Sequence, residues 1–138
     1  NPAPTPTPER RDHPADVATF AEELRRLMRD AYFDYDRHTI RTDAQEVLSK
    51  NAQALRNLFA KYPDVTATIE GHADERGSAA YNLALGDRRA ASAKEFLVSL
   101  RIEESRVKLL SYGKEKPQCT ASNEDCWQQN RRVHFAAE

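Results

Sequence analysis

The segment from Gly71 to Ala90 holds the charged residues best suited to bind a small molecule. It reads GHADERG, then SAA, then YNLALGDRRA. Asp74 lies in a loop with glycines on both sides, and Arg89 lies on the helix that the later residues predict. A carboxylate and a guanidinium in one surface pocket can hold a zwitterion, because the carboxylate binds its ammonium and the guanidinium binds its carboxylate. The segment therefore predicts a binding site for a small molecule that carries both charges.

Each of these residues also has an ordinary structural explanation. An isolated Asp in a loop most often accepts hydrogen bonds from N–H groups of the loop or of a helix start. Arg89 could instead form a surface ion pair with Asp87 or Glu95. Asn82 lies two helical turns before Arg89 and therefore on the same side of the helix. It could contact a ligand or support the loop.

Catalysis and metal binding find little support in the sequence. The histidines are scattered at His13, His38, His72 and His134. No HExxH, GxSxG or paired-Cys metal motif occurs, so a metal site or general base would have to come from His72 and Asp74 on one loop. We therefore predict that the chain is not an enzyme and has no catalytic residues, no metal site and no cofactor.

Composition and charge argue against several other functions. The 138 residues suggest one domain with a short appendage. Twenty-one Lys and Arg against twenty-two Asp and Glu give a net charge of −1, whereas proteins that bind nucleic acid or anionic membranes usually carry a basic excess. No apolar run approaches the ~18–20 residues of a membrane-spanning helix. We therefore expect no nucleic-acid partner.

The two cysteines lie close together near the C-terminus. Cys119 and Cys126 are seven positions apart, so they could close a small loop as a disulfide or remain two buried thiols. A metal site is poorly supported, because two cysteines without nearby histidines provide too few ligands. A disulfide would indicate an oxidising compartment such as the periplasm.

The spacing of apolar residues predicts alternating strands and helices. Strands are predicted over 31–36, 65–70, 107–112 and 132–136, long helices over about 43–62 and 78–100, and a short helix around Trp127. The segment Thr42-Asp43-Ala44-Gln45 has the form of a capping box that starts the first long helix. Gly71 and Gly77 are expected to relax the backbone of the loop between them. The order β-α-β-α-β-β predicts an α/β (α+β) two-layer sandwich, with helices on one face of a small mixed sheet.

Two segments precede the predicted domain, which covers residues 31–138. Residues 1–13 are predicted to be a Pro-rich linker, since repeated prolines favour an extended spacer. Residues 14–30 predict an amphipathic helical lead-in, which could dock on the domain or stay mobile. Its apolar residues, three and four apart, are Val17, Phe20, Leu24 and Leu27.

Five ordered strings resemble the OmpA-like C-terminal domain, and within that family the peptidoglycan-associated lipoprotein (Pal) branch. They read YFDYD, GHADERG, YNLALGDRRA, SYGKEKP and NRRVHF, and they cover about residues 31–135. In that family the Asp of a Gly-His-Thr-Asp motif and the Arg of the following Arg-Ala dipeptide hold the meso-diaminopimelate residue of the peptidoglycan stem peptide. Asp74 and Arg89 match these positions. Ala73 stands where Thr is common, which removes a hydroxyl from the pocket edge.

The resemblance assigns further residues to the same site. Those expected to bind the ligand beside Asp74 and Arg89 are Asn82, Tyr35, Asp36 and Ala73. Those expected to support the site are Gly71, His72, Asn130 and Arg131. A core aromatic and an Asp at a helix entry are the alternative explanations for Tyr35 and Asp36. Asn130 and Arg131 could contact the ligand or brace the Asp74 loop.

The resemblance implies non-covalent binding of the diaminopimelate-containing stem peptide, which would anchor the outer membrane to the cell wall. It implies a periplasmic place at the outer membrane of a Gram-negative-type bacterium, with membrane attachment only through an N-terminal anchor outside this sequence. One alternative is the periplasmic domain of an OmpA-type porin or a flagellar stator protein. Another is a module used mainly to bind TolB or other Tol-system proteins. The LGDRRA and YGKEKP strings and the Pro-rich linker favour the lipoprotein type.

Overall fold

The computed structural model describes residues 14–137, so the predicted linker over 1–13 lies outside the described residues. Its helices are α1 (Pro14–Leu27), α2 (Thr42–Lys61), α3 (Ala79–Ser99) and α4 (Glu124–Asn130), with a 3-10 turn at Glu104–Arg106. Its strands are β1 (Ala31–Tyr32), β2 (Ala67–His72), β3 (Val107–Gly113) and β4 (Arg132–Ala137).

The four strands form one mixed sheet in the order β1-β4-β2-β3. β2 pairs parallel with β3 and antiparallel with β4, and β1 pairs antiparallel with β4. The parallel pair requires a crossover, which α3 provides. Side chains of α1, α2 and α3 share one buried core with alternate residues of β2 and β4, namely Ala67, Ile69, Val133 and Phe135. The predicted fold, with helices on one face of a small mixed sheet, is confirmed.

Helix α1 docks on this core. Phe20 and Leu24 are fully buried, and the Phe20 ring centre lies 6.1 Å from that of Phe59 on α2. Leu27, which was predicted on the buried face, is 39% exposed, while Met28 is buried in its place. The reason is that the row of residues four apart faces the core, and that row continues from Leu24 to Met28.

Helix α2 begins at Thr42, one residue before the predicted start, and the predicted capping box is wrong. The N-cap residue is Arg41, and its side chain makes no capping hydrogen bond. Its guanidinium instead donates to both carboxylate oxygens of Asp43, at 2.9 and 2.6 Å. The helix start is therefore stabilised by a bidentate ion pair rather than by a Thr hydroxyl.

Strands β1 and β2 also differ from their predicted bounds. β1 ends at Tyr32 because the chain soon turns, with a positive φ of 56° at Asp36. β2 runs on through Gly71 and His72, which were predicted as loop. It was predicted to bury one face, but Thr68 and His72 are buried on the other face too. The cause is its central place in the sheet, between β3 and β4.

Gly71 permits a close approach of α3 to the sheet. A Cβ atom on Gly71 would lie 1.8 Å from the carbonyl oxygen of Gly86 on α3. The prediction that Gly71 relaxes a loop is therefore wrong, since it lies within a strand and has no room for a side chain. Gly77 does have the predicted role, with a positive φ of 97° in the loop before α3.

Candidate functional site

A small pocket lies where the β1–α2 loop, the β2–α3 loop and α3 meet. Its volume is about 50 Å³. The residues that line it are Tyr35, Asp36, Asp74, Arg76, Gly77, Tyr81, Asn82, Leu85 and Arg89. The fold thus brings together five of the six residues predicted to bind the ligand. Ala73 is not among the lining residues, and its backbone N–H donates to the carbonyl of Gly113 at 2.8 Å.

The contact between β2 and α3 positions the two charged residues. β2 ends at His72, so the chain carries Asp74 just past the edge of the sheet. Ser78 is the N-cap of α3, and its hydroxyl accepts the N–H of Tyr81 at 3.1 Å. Because α3 lies against β2 at Gly86, the next turn of the helix places Arg89 below the Asp74 loop.

Arg89 is fully buried, with 0% of its surface exposed. Its Nε donates to the carbonyl of Arg37 at 2.8 Å, Nη1 to that of His72 at 2.8 Å, and Nη2 to that of Asp34 at 3.1 Å. Within residues 14–137, no carboxylate forms an ion pair with it. A guanidinium has five N–H donors, so donors remain for a ligand. The alternative of a surface ion pair on α3 is wrong.

The surroundings of Arg89 destabilise its charged form. Burial, together with the charge of the nearby Arg131, lowers the pKa of Arg89 to about 10, although the charges of Asp74 and Asp36 oppose the change. These two carboxylates act at a distance rather than through hydrogen bonds. The site therefore offers a desolvated cation whose nearest counter-charges are engaged elsewhere or exposed.

Asp74 is engaged by two other arginines. The Arg76 guanidinium donates to both of its carboxylate oxygens, Nε at 3.2 Å and Nη2 at 2.8 Å, and the Arg76 backbone N–H donates at 3.0 Å. Arg131 Nη1 donates at 3.3 Å. Burial alone raises the pKa of Asp74, but the hydrogen bonds from Arg76 and Arg131 outweigh it and hold the pKa below its ordinary value. Asp74 is therefore a carboxylate whose charge is already partnered.

Arg76 also lies between two aromatic rings. Its guanidinium carbon is 4.0 Å from the centre of the Tyr35 ring and 3.9 Å from that of Trp127. The Trp127 indole N–H donates to the Glu75 carboxylate at 2.8 Å. Tyr35 is 56% exposed, so its alternative explanation as a core aromatic is wrong.

Sequence reasoning did not single out Arg76 or Trp127. A Gly-bounded Asp-Glu-Arg string shows that Arg76 is near Asp74. No periodicity connects that loop with Trp127, which arrives from α4 through the tertiary fold. The aromatic contact is therefore visible only in three dimensions.

Asn82 and Arg131 support the loop that carries Asp74. The Asn82 side-chain amide donates to the carbonyl of Arg76 at 2.8 Å, and Asn82 also lines the pocket. Arg131 Nε donates to the carbonyl of Phe33 at 2.9 Å, in addition to its bond to Asp74. Both therefore fix the backbone around the pocket.

Asn130 and His72 act elsewhere. The Asn130 side-chain oxygen accepts the N–H groups of Gln118 and Cys119, at 2.7 and 3.0 Å, so it braces the cysteine loop instead of the Asp74 loop. His72 contributes only its carbonyl to the site. Its ring lies on the opposite face of the sheet, with Nε2 3.4 Å from Glu70, and burial lowers the pKa of His72.

A disulfide joins Cys119 to Cys126, with Cα atoms 5.2 Å apart. It closes the loop that leads into α4, where the Asn123 side chain accepts the N–H of Cys126 at 2.9 Å. α4 carries Trp127 and also Glu124, which pairs with Arg131 at 2.7 Å. The disulfide thus tethers the helix that reaches the Asp74 loop.

Residues 14–137 contain neither a helix that could span a membrane nor a cluster of metal ligands. None of their helices combines the length and the apolar character needed to span a membrane. Nor do three or more His, Cys, Asp or Glu side chains gather there as a metal ion would require.

Comparison with known proteins identifies the family of the chain. The OmpA family model matches residues 32–131. The peptidoglycan-associated lipoprotein of Agrobacterium fabrum is 52% identical over 102 residues, which are 74% of this chain and 55% of that protein. That of Brucella melitensis is 50% identical over 102 residues, 74% of this chain and 58% of that protein. The chain thus spans little more than half the length of these relatives.

A solved structure supports the same assignment. The crystal structure of the peptidoglycan-associated lipoprotein from Burkholderia pseudomallei has a TM-score of 0.72 and 35% identity, and the match covers 80% of this chain and 90% of that one. The OmpA family is structural and non-enzymatic, which confirms the prediction that the chain is not an enzyme. This chain therefore belongs to the OmpA family, and within that family it is similar to the peptidoglycan-associated lipoproteins.

Proposed function

We propose that this chain binds peptidoglycan without chemical change, through the diaminopimelate residue of the stem peptide. The observation that carries the proposal is the fully buried Arg89, which shares a pocket with Asp74 and has no carboxylate partner among the described residues. A buried charge without a counter-charge is costly. A ligand carboxylate that reached Arg89 would remove that cost and accept charge-assisted hydrogen bonds.

The chemistry of meso-diaminopimelate suits this pocket. The end of its side chain carries an ammonium and a carboxylate on one carbon. The carboxylate would accept the remaining N–H donors of Arg89, and the ammonium would donate to Asp74. Lysine, which replaces diaminopimelate in other cell walls, has the ammonium but lacks the carboxylate. The two amino acids should therefore be distinguished by Arg89.

Attachment to the wall would depend on repetition as well as on affinity. A hydrogen bond to a charged group contributes roughly 1.5–3 kcal/mol, so one stem peptide is expected to bind only moderately. The wall repeats the same ligand many times, and a tethered protein rebinds at high effective concentration. A modest site can therefore give a durable anchor.

The wider role that we propose is to hold the outer membrane to the cell wall from the periplasmic side, through an N-terminal anchor. The disulfide suits an oxidising compartment. The relatives at 52% and 50% identity are named as lipoproteins, which favours this type over a porin or a flagellar stator protein. We also propose TolB and other Tol-system proteins as partners, since the resemblance to the lipoprotein type implies them.

The test is calorimetric titration of the 138-residue chain with free meso-diaminopimelate, beside Nα-acetyl-lysine amide. This blocked lysine is the control because its only charge is the side-chain ammonium, whereas free lysine carries both charges on its α-carbon. We expect saturable binding of diaminopimelate and binding of the blocked lysine at least about tenfold weaker, since one charge-assisted interaction is lost. Asp74→Asn should abolish most of the binding. Arg88→Ala, a change at an exposed arginine next to Arg89, should leave binding unchanged. Equal binding of both compounds, or full binding by Asp74→Asn, would show that the site is assigned wrongly.

A further inference from the structure

The cation position of the pocket is already occupied by a side chain of the protein. Two aromatic faces at about 4 Å and a carboxylate form a site that favours a cation. Here the faces belong to Tyr35 and Trp127, the carboxylate to Asp74, and the cation is Arg76. We infer that Arg76 competes with the ammonium of the ligand for Asp74 and so sets the affinity and the specificity of the pocket. This inference depends on the proposed function.

Arg76 takes up part of the space beside Asp74. The pocket has a volume of about 50 Å³, and Arg76 is one of the side chains that line it. Removing the Arg76 guanidinium would enlarge the pocket beside Asp74, where the ammonium belongs.

Arg76 is the arginine of the site that is able to leave. Its side chain is 31% exposed, whereas that of Arg131 is 4% exposed, and Arg89 is fully buried. Arg131 also donates a hydrogen bond to the backbone carbonyl of Phe33. Arg89 donates to three backbone carbonyls, those of Arg37, His72 and Asp34. The side-chain donors of Arg76 bond only to Asp74 among the described residues. It can therefore swing into solvent without leaving buried donors unpaired.

The competition explains how the pocket would select a zwitterion. An ammonium alone exchanges one cation for another at Asp74 and gains little. A ligand that also carries a carboxylate gains the free donors of Arg89 in the same step. Only a molecule with both charges at one end gains enough from Arg89 to offset the displacement of Arg76. Arg76 would therefore increase discrimination against the side-chain end of lysine.

The first experiment replaces Arg76 with an uncharged side chain of similar length. If Arg76 holds the cation position in about nine of ten molecules, Arg76→Met should bind meso-diaminopimelate about tenfold more tightly than the unaltered chain. Its preference for diaminopimelate over the blocked lysine should become smaller. Arg88→Met removes the same charge from an exposed position on α3 and should change neither quantity. Unchanged or weaker diaminopimelate binding by Arg76→Met would overturn the competition.

A second measurement follows the displacement directly. The chain has one tryptophan, Trp127, and its ring stacks on the Arg76 guanidinium at 3.9 Å. Saturating diaminopimelate should change its fluorescence in the unaltered chain, and the change should be much smaller in Arg76→Met. Calorimetric binding without a fluorescence change in the unaltered chain would show that Arg76 stays in place.

The two proposals fail in different ways. If Asp74→Asn loses binding while Arg76→Met binds like the unaltered chain, the proposed function stands and the competition is wrong. If no form of the chain binds diaminopimelate, including Arg76→Met, both are wrong. Binding that is detected only in Arg76→Met would support both, because the competitor would then be strong enough to mask the site.

Discussion

At the scale of single residues, the two charged groups of the pocket differ in whether they already have a partner of opposite charge. Arg89 has three backbone carbonyls and no ion pair among the described residues, while Asp74 has two arginines. A list of charged residues would place both in one site and would not distinguish them. The hydrogen-bond partners do, since they identify Arg89 as the group in need of an anion.

Arg89→Lys should be far from a conservative change. A lysine keeps the charge, but its ammonium cannot donate in a planar fork to the carbonyls of Arg37, His72 and Asp34. We expect the free energy of unfolding to fall by about 2–3 kcal/mol, the value of one or two hydrogen bonds to a charged group, and diaminopimelate binding to be lost.

Urea denaturation would measure this loss, with Arg88→Lys at an exposed position as the control. The control should unfold at the same urea concentration as the unaltered chain. If Arg89→Lys also unfolds there, the three carbonyl contacts do not contribute to stability as we argue.

At the scale of secondary-structure elements, the site depends on how closely α3 lies against β2. Gly71 and Gly86 face each other, and neither has room for a side chain. Ser111 on β3 strengthens the same contact, since its hydroxyl donates to the carbonyl of Leu83 at 2.7 Å. The arrangement allows a residue one turn beyond Gly86 to reach under the Asp74 loop.

Gly71→Ala and Gly86→Ala should differ in effect. The new Cβ at Gly71 would lie 1.8 Å from a backbone carbonyl oxygen, so the whole helix must move. At Gly86 the first obstacle is the Ser111 hydroxyl at 2.2 Å, which can rotate, although the Gly71 carbonyl at 2.9 Å remains. We expect Gly71→Ala to lower the free energy of unfolding by about 3 kcal/mol and to weaken diaminopimelate binding. Gly86→Ala should cost less, because alanine favours a helix by about 1 kcal/mol.

Thermal unfolding of both variants, followed by circular dichroism, would rank them. Equal melting temperatures, or a lower one for Gly86→Ala, would contradict the view that backbone contact at Gly71 sets the position of α3. A Gly71→Ala variant that bound diaminopimelate normally would separate the helix position from the site.

Much of the element order could be predicted, because it follows from local patterns. Alternating apolar residues indicated β2, and the three- and four-residue spacing indicated α3. The errors arose where tertiary contacts decide. At the start of α2, an ion pair of Arg41 takes the place of the predicted cap. Position 71 must be glycine because the backbone of Gly86, fifteen residues later on α3, lies against it.

The pairing of Asp74 with Arg89 in one pocket could be predicted from the segment that carries them, and the resemblance added Tyr35 and Asp36. The packing of Trp127 on Arg76 has no local signal.

At the scale of the whole molecule, α1 and the following turn are part of one packed unit with the sheet. Phe20 and Leu24 are fully buried in the common core. Beyond the helix, Asn51 on α2 accepts the Arg29 N–H at 3.1 Å and donates to the Arg29 carbonyl at 2.8 Å. The predicted division at residue 30 is therefore crossed by packing and by hydrogen bonds, although it stays a prediction as a domain boundary.

The pair His134 and Asp30 ties the same turn to β4, and its contribution should depend on pH. His134 Nδ1 lies 2.7 Å from the Asp30 carboxylate. That hydrogen bond raises the pKa of His134 against the opposing effect of burial, with Asp30 and Glu70 adding to the rise by their charge and Arg132 reducing it. A histidine whose folded-state pKa is raised stabilises the fold fully below its unfolded pKa of about 6.5. The stabilisation is lost as the pH rises through the folded-state pKa.

His134→Gln should therefore be less stable than the unaltered chain at acid pH and equally stable at alkaline pH. The side chain is 43% exposed, so we expect a difference of less than about 1 kcal/mol at pH 5. It should decline to nothing as the pH rises through the folded-state pKa of His134. The pKa of His72 is lowered mainly by burial and also by the charge of His134, so the difference between the two proteins includes this smaller effect. Urea denaturation at several pH values would measure the difference, with His38→Gln at an exposed position as the control. A difference that grew with pH would mean that His134 is held neutral, because only then would protonation weaken the fold.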